Sequence, residues 1–415
     1  MSQSHEMSQS PENRTVGGEP GGTRILVLGG GYAGVLAAVR VARRTRRRGG
    51  RVTLVNPSDR FVERLRLHQL STGQQLADHR LPDLLAGSGV AFVQGVAVGL
   101  DRTARTVDVD TEDGRRQLGY DILVYALGSV TDTGAVPGAA DHAYTLAGPA
   151  AARLADRLTE VDAAAGRVAV VGAGLTGVEA ATEIAETFPG LRVTLLSRDE
   201  PGPMMGDAAR AYLNRGLDRL GVEVRSGVDV TKVLPTGIEV AGDLEPVPAD
   251  AVVWTVGVRA LPLAEQAGLA VDGQGRILVD ETLRSESDPA IYAVGDAAAV
   301  RQPWGMIHGT CQSGMPTGAR AADNIGRRLR GRRPKPFRFG YIHQPVSLGR
   351  RDAVIQFTHA DDSPGRWYLK GRAAVRYKEL VSGSPPALFR LSRWLNVPVL
   401  MLAPGGAPLR RRRAR

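Results

Sequence analysis

Two glycine clusters carry the first chemical signal in this 415-residue chain. Gly29-Gly30-Gly31-Tyr32-Ala33-Gly34 follows the apolar run Arg24 to Leu28 and precedes an Ala/Val/Leu-rich segment, Val35 to Ala42. Gly172-Ala173-Gly174-Leu175-Thr176-Gly177 follows Arg167 to Val171 and precedes a helical pattern from Val178 to Glu186. A second apolar strand comes after each, Arg51 to Val55 and Leu191 to Leu196. The pattern is strand, tight turn, helix, strand, twice over. In such a turn Gly29 and Gly172 allow the sharp reversal. Gly31 and Gly174 let the backbone approach a pyrophosphate, and Gly34 and Gly177 let the helix pack close on the strand. The pyrophosphate then meets the free N–H groups and dipole of a helix N-terminus. One such motif arises easily in a chain with 51 glycines. Two in register, each between a strand and a helix, predict two dinucleotide-binding units and an internal repeat at domain scale.

The residue that ends the second strand of such a unit reads the adenosine ribose, an acid there favouring a free 2′-hydroxyl. In the first unit this position is Asn56, an uncharged acceptor. In the second it is Ser197 followed by Arg198, and an arginine can meet a 2′-phosphate. The expected nucleotide of the second unit is therefore NADPH, or both NADH and NADPH. An Arg198 that simply faces solvent is the alternative.

The elements that position these turns are also legible. Tyr120 to Gly128, Ala251 to Gly257 and Ala290 to Asp296 read as apolar strands ending near a glycine. Phe92 to Val98 and Thr106 to Asp110 read as a meander, and the Pro/Arg-rich stretch Arg327 to Pro336 as a linker. The expected fold class is α/β, with two Rossmann-like, doubly wound domains, the second inserted in the first, and a small C-terminal region. In residue numbers, 1–22 is a disordered tail, 23–150 and 272–330 form the first domain, 151–271 the second, and 331–415 the C-terminal region.

Composition narrows the function. A net charge of +10 is concentrated in Arg40 to Arg51, Arg327 to Arg338 and Arg410 to Arg415. Such runs are solvated faces or contacts to an anionic membrane surface; no nucleic-acid module accompanies them, so no nucleic-acid partner is expected. The first 22 residues have no apolar stretch of a signal peptide, and no apolar run approaches the roughly 18 residues of a membrane span. Cys311 is the one cysteine, so no intrachain disulfide can form, which suits the cytoplasm. His68, His79, His308, His343 and His359 are scattered without metal-ligand spacing, and no metal is expected.

With these residues in view, the chain resembles the type II NADH dehydrogenases, single-chain NADH:quinone oxidoreductases with two dinucleotide-binding domains. The likeness runs from about Arg24 to Ile325 and more weakly to about Glu379. Six pieces fall in the family's order: ILVLGGGYAG, YDILVYALGS, VVGAGLTGVEAATEI, VVWTVGV, IYAVGDAA, and a glutamine-containing helix start before ADNI. The resemblance implies FAD in the first unit, around Gly29, Gly31, Tyr32, Ala33, Gly34 and Asn56. It implies NADH or NADPH in the second, around Gly172, Gly174, Gly177, Ser197 and Arg198. Gly295 and Asp296 match the pair that contacts the FAD ribityl and phosphate region, and Gly128 and Gly257 match the glycines closing strands beside the two nucleotides. Glu179 matches a glutamate near nicotinamide and flavin; its alternative role is a first-turn carboxylate that complements the helix dipole.

Gln312 matches the first glutamine of a quinone-facing helix start. Where the family has a second, this chain has Pro316, expected near the start of the helix, where proline is tolerated. Pro386 to Leu402 interleaves Phe, Leu, Trp and Arg and is broken by Pro398, which fits either a membrane-surface element or one packed on the core. A single cysteine excludes the family's disulfide reductases and the related sulfide:quinone oxidoreductases. The implied reaction moves a hydride from NAD(P)H to FAD and two electrons onward to a quinone, in the cytoplasm, with peripheral contact to the cytoplasmic face of the membrane as one of two readings of the C-terminal end. A homodimer is compatible with this plan. Two other readings stay open: a soluble flavin reductase acting on a quinoid secondary metabolite or an electron-carrier protein, favoured by Pro316, and an NAD(P)H-binding regulator with slow turnover.

Overall fold

The computed structural model describes residues 22–242 and 245–395. Pro398, Arg410 to Arg415 and nearly all of the expected 1–22 tail lie outside them. The first sheet begins with β1 (Arg24–Leu28), β2 (Arg51–Asn56), β3 (Val90–Gln94) and β4 (Ile122–Tyr125). A second sheet follows, from β5 (Ala143–Tyr144), β6 (Arg167–Val171), β7 (Arg192–Leu196), β8 (Glu223–Arg225) and β9 (Ala251–Trp254). The chain then returns to the first sheet with β10 (Ile291–Ala293). Spatial orders are β10-β4-β1-β2-β3 and β8-β7-β6-β9-β5, and the pairings within both sheets are parallel. Central strands such as β4 and β9 are buried along their whole length, which is why they read as unbroken apolar runs rather than alternating ones. The second unit is thus inserted in the first, as its strands imply.

Each sheet carries one glycine turn leading into a helix, α1 (Tyr32–Thr45) on the first and α2 (Leu175–Thr187) on the second. Helix α3 (Cys311–Arg328) lies across α1 so closely that a Cβ on Gly318 would stand 2.3 Å from the Ala33 carbonyl oxygen. Short strands Ser129–Thr131 and Val258–Ala260 pair antiparallel and tie the two units together just beyond Gly128 and Gly257.

Two elements differ from expectation. Phe92 to Val98 is not one strand: β3 ends at Gln94, and Val96–Asp101 opens a separate antiparallel sheet with Thr106–Thr111 and Gly114–Gly119. Gly95 lies at the break, where a Cβ would stand 2.5 Å from Val109 Cγ1. The expected linker at Arg327 is still helical, since α3 runs to Arg328. The C-terminal region folds as an antiparallel sheet of β11 (His343–Ser347), β12 (Ala353–Thr358) and β13 (Pro364–Lys370), followed by α4 (Gly371–Gly383) and α5 (Pro385–Ser392). Val346, Leu348 and Val354 share an apolar cluster with Val178 and Ile184 of α2, so this sheet is built onto the second unit.

Candidate functional site

The two glycine turns are near copies. Gly29 has φ +102° and donates its N–H to the Val55 carbonyl at 2.8 Å; Gly172 has φ +105° and donates to Leu196 at 2.7 Å. Such positive φ values favour glycine. A Cβ on Gly34 would lie 1.9 Å from the Gly29 oxygen, and one on Gly177 would lie 1.7 Å from the Gly172 oxygen. Close helix–turn approach therefore requires both glycines. At Gly31 and Gly174 nothing lies within 4 Å of a built Cβ. These two residues cap α1 and α2 without any side-chain hydrogen bond, and neither first turn carries an acid. The first N–H groups of both helices are thus left for an outside acceptor, in open space, as a bound pyrophosphate needs. The residues fit FAD and a nicotinamide nucleotide.

The ribose positions differ. Asn56 Oδ1 accepts from Gly30 N at 2.8 Å and its Nδ2 donates to the Ser58 carbonyl at 2.7 Å, so the amide braces the first turn. Ser197 Oγ accepts from Ala173 N at 3.3 Å. Arg198 is solvent-facing and paired with Asp229 at 2.6 Å. Gly128 and Gly257 both have φ +73°. Gly257 lies against Asp132, whose N–H donates to its carbonyl at 3.2 Å.

Gly295 has φ +66° and donates its N–H to Thr317 Oγ1 at 2.9 Å, which fixes the turn at the end of β10 against α3. Asp296 Oδ2 accepts from Ser129 Oγ at 2.8 Å and from Arg64 Nη1 at 3.2 Å. Arg64 also donates to the Ser129 carbonyl at 2.6 Å. Sequence reasoning missed Arg64 and Ser129 as partners of Asp296: both are distant from it in the chain, Arg64 belongs to no quoted motif, and Ser129 only ends the YDILVYALGS piece.

Glu179 is not a first-turn residue. It is the fifth residue of α2 and points into a buried polar cluster. Its Oε1 accepts from Lys378 Nζ of α4 and from Ser347 N at 3.0 Å, while His68 Nδ1 lies 3.5 Å from Oε2. Lys378 Nζ also donates to Ser347 Oγ at 2.6 Å. The side chains of Lys378 and Glu179 are only 8% and 12% exposed. Burial alone pushes the Glu179 carboxyl up, but the Lys378 ammonium, His68 and the donated hydrogen bonds outweigh it and hold it below the usual carboxylate range. Burial pulls His68 down to about 4, against the opposing pull of Glu179. One turn further along α2, Glu183 is fully buried, accepts from Gln74 Nε2, and is pushed up by burial. Lys378, His68, Ser347 and Glu183 were all missed. Glu183 carries a faint signal, a second acid on the same face as Glu179 at helical spacing.

Gln312 does not face outward. Its Oε1 accepts from Ile342 N at 2.7 Å and its Nε2 donates to the His343 carbonyl at 3.1 Å, which joins α3 to β11. Pro316 is not near the start of the helix either: α3 begins at Cys311, so Pro316 sits in its interior. The proline lacks an N–H, which leaves the Gln312 carbonyl without its helical partner. Helix start is set instead by a capping box, with Ser313 N donating to Thr310 Oγ1 at 3.1 Å and Thr310 N to Ser313 Oγ at 3.0 Å. The Cys311 thiol is pushed up to about 12, mainly by burial and then by Asp296, so it is no nucleophile near neutral pH.

The family model for pyridine nucleotide-disulphide oxidoreductases matches residues 23–323, which include both glycine turns, Gly295 and Asp296. The chain belongs to that family. It is an oxidoreductase whose cofactors are FAD and a pyridine nucleotide. It is 34% identical over 323 residues to an NADH dehydrogenase-like protein of Mycobacterium tuberculosis, covering 73% of this chain and 80% of the relative. It is 30% identical over 391 residues to the demethylphylloquinone reductase NdbB of Synechocystis, covering 89% and 93%. Among solved structures, NDH2 of Plasmodium falciparum in complex with NADH has the same fold, with a TM-score of 0.76 at 15% identity, covering 91% of this chain and 99% of that one. This member of the family has no cysteine pair for disulfide chemistry.

Proposed function

We propose that the protein is an FAD-dependent NAD(P)H:quinone oxidoreductase. The observation that carries this reading is the pair of open, uncapped glycine turns on two separate parallel sheets, in a chain that lacks a redox cysteine pair. The name of one curated relative, a demethylphylloquinone reductase, supports a quinone as acceptor, and that of the other, an NADH dehydrogenase-like protein, supports a nicotinamide nucleotide as donor.

In this reading Gly31, Gly34 and the α1 N-terminus hold the FAD pyrophosphate, and Asp296, steadied by Ser129 and Arg64, faces its hydroxyl-bearing chain. Gly174, Gly177 and the α2 N-terminus hold NADH or NADPH. FAD, when bound, supplies two-electron chemistry with the nicotinamide and passes the electrons on. Reducing a quinone also takes up two protons. Lys378 Nζ, bonded to Glu179 and Ser347, holds an exchangeable proton in a cluster shielded from bulk water. Gln312 acts as a brace between α3 and β11 rather than as an acceptor contact.

Peripheral membrane contact at the C-terminal end belongs to the same reading. No helix among the described residues is long and apolar enough to cross a membrane. Leu391, Trp394 and Leu395 are exposed there at 44%, 70% and 57%, and Arg390 and Arg393 flank them. Aromatic and basic side chains together suit a bilayer surface.

The test is oxidation of NADH and of NADPH by the purified flavoprotein, each with and without a soluble quinone analogue. The reading predicts strong stimulation by the quinone. Flavin reduction that quinone leaves unchanged would favour the quinoid-metabolite or carrier-protein reductase, for which Pro316 in place of a second glutamine is the sequence support.

A further inference from the structure

The C-terminal end of α1 opens on a cleft of about 760 Å³ whose walls are largely guanidinium. Arg43 and Arg44 contribute from the last turn of α1, and Arg46, Arg47 and Arg48 from the 3-10 turn that follows it. Arg330 enters from beyond α3 and Arg393 from the end of α5. Backbone tethers hold these two: Arg330 Nη1 donates to the Arg44 carbonyl at 3.2 Å, and Arg393 Nη1 donates to the Ala86 carbonyl. Four separate segments of the chain therefore meet around one opening. No Asp or Glu is among the described residues lining it.

Helix stabilisation does not account for this. Basic residues at a helix C-terminus answer about half an elementary charge. Among the described residues, the Asp323 carboxylate pairs with Arg40 and Arg44 at 2.8 and 2.9 Å. Arg43 and Arg44 have interactions of their own, but among the described residues no carboxylate pairs with Arg46, Arg47, Arg48, Arg330 or Arg393. The mutual repulsion registers on Arg330, which is pulled down first by burial and then by Arg44, Arg332, Arg48 and Arg327. Arg393 Nε is shielded from solvent with no hydrogen-bond partner among the described residues. A planar fork of this kind is suited to bidentate phosphate recognition.

We propose that this cleft is a binding site for a multiply charged phosphate group. It is distinct from both nucleotide sites. The FAD turn is at the N-terminus of α1 and the cleft at its C-terminus, roughly 20 Å away along a 14-residue helix. The same chemistry is presented by the headgroup of an anionic phospholipid and by a soluble polyphosphate. The exposed Trp394 on the rim, 70% accessible, gives a bilayer-borne phosphate an aromatic neighbour. A nucleic acid duplex calls for an extended basic stripe rather than a closed cleft.

The test uses the full-length flavin-loaded protein and two triple variants. The cleft variant is Arg46→Gln, Arg47→Gln, Arg48→Gln, which are exposed. The control, Arg115→Gln, Arg210→Gln, Arg225→Gln, removes the same charge from exposed ion pairs elsewhere. Retained flavin absorbance confirms folding of each. Binding is measured to tripolyphosphate by calorimetry with NAD⁺ saturating the nucleotide site, and to vesicles of phosphatidylcholine with and without phosphatidylglycerol by sedimentation. The proposal expects tripolyphosphate or phosphatidylglycerol vesicles to bind the control as they bind wild type, and the cleft variant at least tenfold more weakly. Loss on vesicles alone assigns the site to a lipid headgroup; loss on tripolyphosphate alone assigns it to a soluble ligand. Equal weakening in both variants, binding of neither probe, or tighter cleft-dependent binding of duplex DNA than of either probe would overturn it.

Discussion

The two glycine turns share backbone geometry but not surroundings. After the exposed Gly31, the first turn goes straight under cover: Tyr32 and Ala33 are buried, and α3 crosses above them at Gly318. After the exposed Gly174, Leu175 stays half-buried and Thr176 exposed. Around α1 the neighbours are mainly apolar, apart from Asp323 paired with Arg40 and Arg44; α2 itself carries Glu179 and Glu183, with His68 and Lys378 packed beside Glu179. One fold element has thus been set in an enclosed, mainly apolar frame and in a more open one whose apolar packing is joined by a buried polar cluster. The first suits a cofactor that stays, the second a nucleotide that comes and goes above a proton-holding cluster.

The largest expected effect separates the turns directly. In Gly34→Val the new Cβ meets the Gly29 oxygen inside the enclosed frame, and the protein is expected to be purified colourless and destabilised. Overpacking of this kind costs about 1–3 kcal/mol or more. In Gly177→Val the same clash arises in the open turn. That protein is expected to stay yellow while NAD(P)H oxidation falls by about 100-fold or more, a barrier change of about 2.7 kcal/mol. Flavin absorbance after gel filtration and steady-state rates check both. Loss of flavin from both variants alike would erase the distinction.

Next comes the buried pair. Lys378→Met leaves the Glu179 carboxylate buried without its ammonium partner, which costs about 3–5 kcal/mol. Urea unfolding is expected to show that loss, and Glu179→Gln added to it should recover most of the stability. Recovery would show that the cost is the stranded charge rather than lost packing.

Stability should also fall on mild acidification. His68 and His343 are both pulled down to about 4 by burial. The unfolded chain takes up protons at about 6.5, the folded one only near 4. Their contribution is therefore complete above about pH 6.5 and is lost as pH falls toward 4, with a slope of up to about 1.4 kcal/mol per unit for each. In His68→Asn the slope of the urea midpoint between pH 7 and 5 should drop by about half.

The smallest effect concerns nucleotide choice. Arg198 and Asp229 form an exposed pair, worth about 1 kcal/mol at most, so Arg198 is free to turn toward a 2′-phosphate. Arg198→Leu should raise KM for NADPH about tenfold, equivalent to about 1.4 kcal/mol, and KM for NADH less than twofold. Equal changes would show that Arg198 meets neither ribose.

The nucleotide turns were legible because they are local. Strand, glycines and helix are contiguous, Arg24 to Thr45 and Arg167 to Thr187, and each glycine position has a separate steric cause. The insertion of one unit in the other was legible from the order of apolar strands. The polar cluster was not, because Glu179 and Lys378 are 199 residues apart, and nothing near either names the other. Gln312 and Pro316 show the converse. A matched motif fixed where the helix lies, while side-chain direction and helix start were decided by β11 and the Thr310 cap.

The central claim, that the enclosed site and the open site work in series toward a quinone, is tested most directly by an anaerobic titration of the purified yellow protein. Equimolar NADH or NADPH should bleach the visible flavin absorbance, and a soluble quinone added afterward should restore it at once. A flavin that NAD(P)H does not bleach, or one that stays bleached in the presence of quinone, would contradict the account.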